Sequence, residues 1–199
     1  MPYWLHLVKF ANLPHNFKTI KIIKTIKQIG LTVAMVLTLV LSSCSKDDNG
    51  GGGGATGVGT FRAKVGGANF TSIPQGAFAI LASNGAFQNL ALSGSDASGK
   101  SIQLSILAEN IGVGTYQITD QGESFISGSY NEVNLSNPAA SQVWGAPYDG
   151  GGNSGSIIIT AKTATNVQGT FSFTGRLLTG TTTKVITEGF FNLTITTGN

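Results

Sequence analysis

Nucleophiles, acid–base groups and metal ligands are scarce in this chain. Its 199 residues hold two histidines, His6 and His15, and one cysteine, Cys44. No histidine or cysteine follows Cys44. Nucleophilic schemes built on Cys–His or Ser–His pairs therefore lack their side chains there, as do ordinary zinc sites. The carboxylates beyond the first fifty residues are Asp96, Glu109, Asp120, Glu123, Glu132, Asp149 and Glu188. A glycosidase sets two carboxylates about 5–9 Å apart across a cleft. Glu109, Glu132 and Glu188 fall in or near strand patterns, where a solvated strand face accounts for them. Asp120 and Glu123 flank Gln121-Gly122. Calcium takes about six to eight oxygen ligands, and this spacing matches no such loop. No catalytic residue, metal ligand or cofactor is assigned on this reading. The Gly150–Gly152 run lacks the Lys-Ser/Thr and the helix of a phosphate loop. One small constellation is left, Trp144, Tyr148, Asp149 and Asn153, in a stretch rich in Gly, Pro and Asn. Held open to solvent, its aromatic rings would stack on a sugar. Folded back, Trp144 would plug the open end of a β structure.

Cys44 has a more specific setting. Ile29 to Leu41 is an apolar run, and Lys18, Lys21, Lys24 and Lys27 precede it with no acidic residue before Cys44. The run is shorter than the roughly 20 residues of a membrane-spanning helix and suits the core of an export signal. The lysines hold its N-terminal side in the cytoplasm. Leu41-Ser42-Ser43-Cys44 then gives an aliphatic residue, two small residues and the cysteine. The stretch resembles a bacterial lipoprotein signal. That resemblance implies a diacylglycerol on the Cys44 sulfur, cleavage between Ser43 and Cys44, and a membrane lipid as partner. More than one acyl chain gives stable attachment, at about 0.8 kcal/mol per buried methylene. Residues 1–43 are then a removed signal peptide, and both histidines leave with it.

Residues 44–57 read as a lipidated, flexible tether, with five glycines at Gly50–Gly54. Its reach is roughly 20 Å over a dozen residues. Ser45, Lys46, Asp47 and Asp48 resemble the short acidic sequence after the lipid cysteine in lipoproteins of the Bacteroidota, which marks export to the outer face of the outer membrane. The resemblance implies a cell-surface location, the alternative being the periplasmic face with the tetrad merely keeping the tether soluble.

The formal charge of +3 belongs to the whole chain. Of its twelve basic residues, Lys9 and the four signal lysines lie before Cys44, so seven remain against nine acidic ones and the net charge there is −2. Nucleic acid is excluded as a partner, since binding phosphates needs a positive patch. A glycan or a protein fits better.

Residues 58–199 read as a single β domain. Thr, Ser, Gly and β-branched residues dominate, and apolar–polar alternation is plain. Phe61, Ala63 and Val65 alternate with Arg62 and Lys64. Ile102, Leu104 and Ile106 alternate with Gln103 and Ser105. Phe171 and Phe173 alternate with Ser172, and Phe191, Leu193 and Ile195 with Asn192 and Thr194. Asn84-Gly85, Ser98-Gly99 and Thr179-Gly180 mark turns. The pattern predicts nine or ten strands, at 59–65, 68–71, 77–83, 87–94, 100–108, 114–118, 126–132, 155–163, 168–178 and 184–195. The expected fold is all-β, an antiparallel two-sheet sandwich or a partly closed barrel. Asn134 to Gly155 is read as the longest irregular piece, with at most a helical turn over Ala139–Val143.

Thr60-Phe61-Arg62-Ala63-Lys64-Val65-Gly66-Gly67-Ala68-Asn69-Phe70 resembles the opening of an uncharacterised β-rich domain of Bacteroidota lipoproteins. Gly169 to Thr174 and Ile186 to Phe191 resemble its closing hairpin. That resemblance brings no functional residue with it. The sequence thus supports a non-catalytic, lipid-anchored structural or interaction module. The alternative is a carbohydrate- or small-ligand-binding lipoprotein using the Trp144–Asn153 loop.

Overall fold

A computed structural model describes residues 56–121 and 125–198. They form an all-β fold of eleven strands in one large mixed sheet. The strands are β1 (Thr60–Val65), β2 (Ala68–Thr71), β3 (Phe78–Asn84), β4 (Phe87–Ser95), β5 (Lys100–Ala108), β6 (Gly114–Thr119), β7 (Phe125–Glu132), β8 (Gln142–Ala146), β9 (Asn153–Lys162), β10 (Asn166–Leu177) and β11 (Thr183–Gly198). Ten of them fall where alternation places them. Cys44, Ser45, Lys46, Asp47, Asp48 and Glu123 lie outside the described residues.

The sheet folds over on itself in a sandwich-like way, its pairings running from β11 through β3, β4, β5, β7, β8 and β10 back to β11. One run of neighbours is β2-β1-β11-β10-β9-β6, and the other is β3-β4-β5-β7-β8. The two long strands join them. β11 pairs with β1 and β10, then passes on to β3 over Ile195–Gly198. β10 pairs with β9 over Val167–Phe173 and with β8 only at Arg176 and Leu177. The β3–β11 pairing is parallel and the other ten are antiparallel. The all-antiparallel expectation is corrected at that one seam, where β3, the first strand of the second run, meets the end of β11.

β8 is the second correction. The stretch read as irregular holds a single 3-10 turn at Pro138–Ala140 and then this strand. Gly145 and the following proline weaken its local signal. Its pairing with β7, Tyr130 opposite Trp144, supplies the order that local propensity does not.

The inner faces carry the expected apolar residues, among them Phe61, Leu90, Leu104, Ile106, Ile157, Phe171, Phe173 and Phe191. Rings and glycines interlock between the two runs. A Cβ on Gly94 of β4 would run into the Phe61 ring of β1, and one on Gly128 of β7 would lie 3.0 Å from the Phe173 ring of β10. Phe61 continues onto Phe171, with centroids 5.2 Å apart, and Phe171 onto Phe191 at 6.4 Å. Such ring pairs add about 0.5–1.5 kcal/mol beyond the area they bury. Gly94→Ala is expected to destabilise the domain by about 1–3 kcal/mol through overpacking. Urea denaturation with an unchanged m-value would check it, and a neutral Gly94→Ala would refute the interlock.

Candidate functional site

Trp144 is placed by β8 with its indole turned inward. It is only 5% exposed, so it offers no face to a sugar. Its ring lies 5.7 Å from Tyr130 across the β7–β8 pair. Lys184, at the start of β11, lays its ammonium 3.7 Å from the indole centroid and 4.9 Å from the Tyr130 centroid. The same ammonium donates to Glu132 Oε1 at 2.7 Å, and the Tyr130 hydroxyl donates to that oxygen at 2.9 Å. These four residues form a half-buried polar cap over one end of the core. Burial pushes the Glu132 carboxyl up, but the hydrogen bonds from Lys184 and Tyr130 outweigh it, and the net shift is downward. Burial, and then the hydrogen bond to Glu132 and its charge, push the Tyr130 phenol up.

Tyr148 stands apart from Trp144. Arg176 pairs with Gly145 and Leu177 with Trp144, so the Arg176 and Trp144 side chains leave opposite faces of the sheet. The Arg176 guanidinium lies 4.8 Å from the centroid of the Tyr148 ring. Asp149 is exposed. Asn153 is exposed at the start of β9 and donates from Nδ2 to Gln117 Oε1 at 3.1 Å, while its Oδ1 accepts from the Gly155 amide. The four residues grouped by sequence therefore do not form one patch, because the indole is on the other side of the sheet from Tyr148. The three strand carboxylates are also apart in role. Glu132 sits in the cap, Glu188 pairs with Lys64 at 2.8 Å, and Glu109 is exposed after β5. Among the described residues no group of three or more His, Cys, Asp and Glu could hold a metal ion.

A different site emerges on the outer face of β1, β11, β10 and β9. Both pairings of β11 shift register around Glu188: against β1 the shift spans Glu188 and Gly189, between Arg62 and Lys64, and against β10 it spans Thr187 and Glu188, between Phe171 and Phe173. This is a β-bulge. Glu188 adopts a left-handed conformation with φ 51°, the one non-glycine residue to do so among the described residues. Gly189 is required beside it, because a Cβ there would lie 2.5 Å from the Phe171 carbonyl oxygen. The bulge is bordered by a shallow recess of about 400 Å³. Register places Arg62, Phe190, Thr170 and Ile158 in one row across four strands, with Ser172 and Ser156 paired in the next. Glu188 stands at the margin. The Arg62 guanidinium packs 5.2 Å from the Phe190 centroid. Its Nε is buried without a hydrogen-bond acceptor, one of two such side-chain atoms among the described residues. Alternation along the strands marks Arg62 and Ser172 only as polar-face residues. The available signal was Glu188-Gly189 interrupting the alternation of β11.

The architecture is thus a sandwich-like all-β domain whose distinctive surface feature is a bulge-bordered recess lined by both polar and apolar side chains. Residues 59–193 match the family described as Domain of unknown function (DUF6252), and the chain belongs to that family. No curated protein and no solved structure matches the chain.

Four outcomes are expected. Trp144→Ala should cost about 3–5 kcal/mol in thermal or urea unfolding, as for a buried large aromatic. Glu132 has a lowered folded pKa, so its contribution is present above the ordinary value of 4.5 and fades as pH falls through the folded value. Glu132→Gln should therefore flatten the stability–pH profile below about pH 5, as measured by denaturation midpoints across pH 2–7. Glu188→Gly should leave stability unchanged or raise it by up to about 1 kcal/mol, since glycine relieves the left-handed backbone. Gly189→Ala should lower it by about 1–3 kcal/mol. Equal effects at both positions would contradict the bulge assignment.

Proposed function

We propose that this protein is a lipid-anchored outer-membrane lipoprotein displayed on the cell surface, with its β domain serving as a non-catalytic interaction module. The observation that carries the reading is the ordered series of lysines, a short apolar run and Leu41-Ser42-Ser43-Cys44. The lysines orient the segment, the apolar run inserts it, the small residues fit a narrow protease site, and the thiol takes the acyl group. Ser45, Lys46, Asp47 and Asp48 direct the product outward, and the glycines that follow give the domain reach. The membrane partner is lipid, through acylated Cys44. The second partner is a glycan or a protein. The domain supports this role by having an apolar core of its own.

Cells fed an alkyne-tagged fatty acid should label the wild-type chain. Cys44→Ala should carry no label and remain uncleaved. Protease added to intact cells should release peptides from residues 57–199 of the wild type, whereas Asp47→Ala/Asp48→Ala should protect them through periplasmic retention. A labelled Cys44→Ala chain would refute the anchor, and complete protection of the wild type would refute surface display.

A further inference from the structure

We propose that the recess at the β11 bulge binds an acidic sugar, with Arg62 receiving the carboxylate and the neighbouring hydroxyls receiving the ring hydroxyls. The inference goes beyond membrane attachment and does not depend on it.

The first argument is the charge left unmatched. Lys64 and Glu188 neutralise each other at the rim through their 2.8 Å contact. Arg62 lies within the recess with its Nε unsatisfied and its guanidinium held against Phe190. A guanidinium fixed by an aromatic ring is oriented before a ligand arrives, and it matches the planar geometry of a carboxylate. The second argument is the row geometry. Thr170 is paired opposite both Phe190 and Ile158, and Ser172 opposite Ser156. The Thr170 and Ser172 hydroxyls therefore lie two strands from Arg62 and that of Ser156 three, with the apolar Phe190 between Arg62 and Thr170. A sugar acid presents the same combination, one carboxylate, several hydroxyls and apolar C–H faces. The third argument is the bulge itself. It keeps a glutamate in a backbone conformation that glycine would hold more easily, and it brings the carboxylate to the margin of the recess. Bulges re-aim side chains next to functional sites. A volume of about 400 Å³ accommodates one or two sugar units.

The test uses the full chain held in a sugar-free detergent, titrated calorimetrically with glucuronate, glucose and acetate. Glucuronate should bind saturably, with a Kd on the order of 1 mM. Glucose, lacking the carboxylate, and acetate, lacking the ring, should bind at least about tenfold more weakly. Arg62→Gln should weaken glucuronate binding by about tenfold or more, and Lys64→Gln by less than about threefold. Hydrogen exchange at saturating glucuronate should slow around residues 170–172 and 188–190, a readout that holds even if Arg62→Gln fails to fold. Absence of glucuronate binding would overturn the proposal. So would acetate binding as tightly as glucuronate, which would make the site an anion contact only, or glucose binding equally well. Protection confined to another part of the domain would overturn it too.

Discussion

The β10–β11 hairpin is the constraint on which the rest of the domain depends. It belongs to both runs of the sheet at once. Near the middle it carries β1 on one side and β9 on the other, and at its ends it hands the chain over to β3 and β8. Phe171, Phe173 and Phe191 project inward from it, and the opposing run answers at Phe173 with a glycine. Register is tightly specified under such conditions. A slip by one residue would turn those rings to solvent and Thr170, Ser172 and Phe190 into the core.

The two polar constructions on this hairpin solve different physical problems. At its turn end Lys184 faces inward on the same side as Ile186, where a charge would be costly alone. Glu132 supplies the counter-charge, and Trp144 and Tyr130 supply π faces. Removing one partner of such a group leaves the other poorly solvated, which is why the cap acts as a unit. At mid-strand the bulge does the reverse. It interrupts regular pairing and leaves Arg62 beside Phe190, with a donor no protein acceptor meets. The first arrangement seals an end of the core, and the second leaves a buried Arg62 donor without an acceptor.

Much of the core was legible because alternation is a local property. Phe61, Ile102, Leu104, Ile106, Phe171, Phe173, Phe191, Leu193 and Ile195 all point inward as their spacing requires. The candidate site was not legible in the same way. Arg62 and Phe190 are neighbours only because β1 lies beside β11, and Thr170 joins them only because β10 occupies the other edge. Trp144 showed the converse. Its Gly- and Pro-rich surroundings suggested a loop, while pairing with β7 drew it into a strand and under Lys184.

The sequence by itself determined an all-β domain, the burial face of most of its strands and the hairpin turns between neighbours. It determined them because side-chain period and turn chemistry act within about ten residues. Only the tertiary structure decided the parallel seam between β3 and β11, the existence of β8, the burial of Trp144 and the row Arg62–Phe190–Thr170–Ile158. Each of these depends on hydrogen bonds between segments distant in the chain, and a strand's own residues carry no record of which strand will lie beside them.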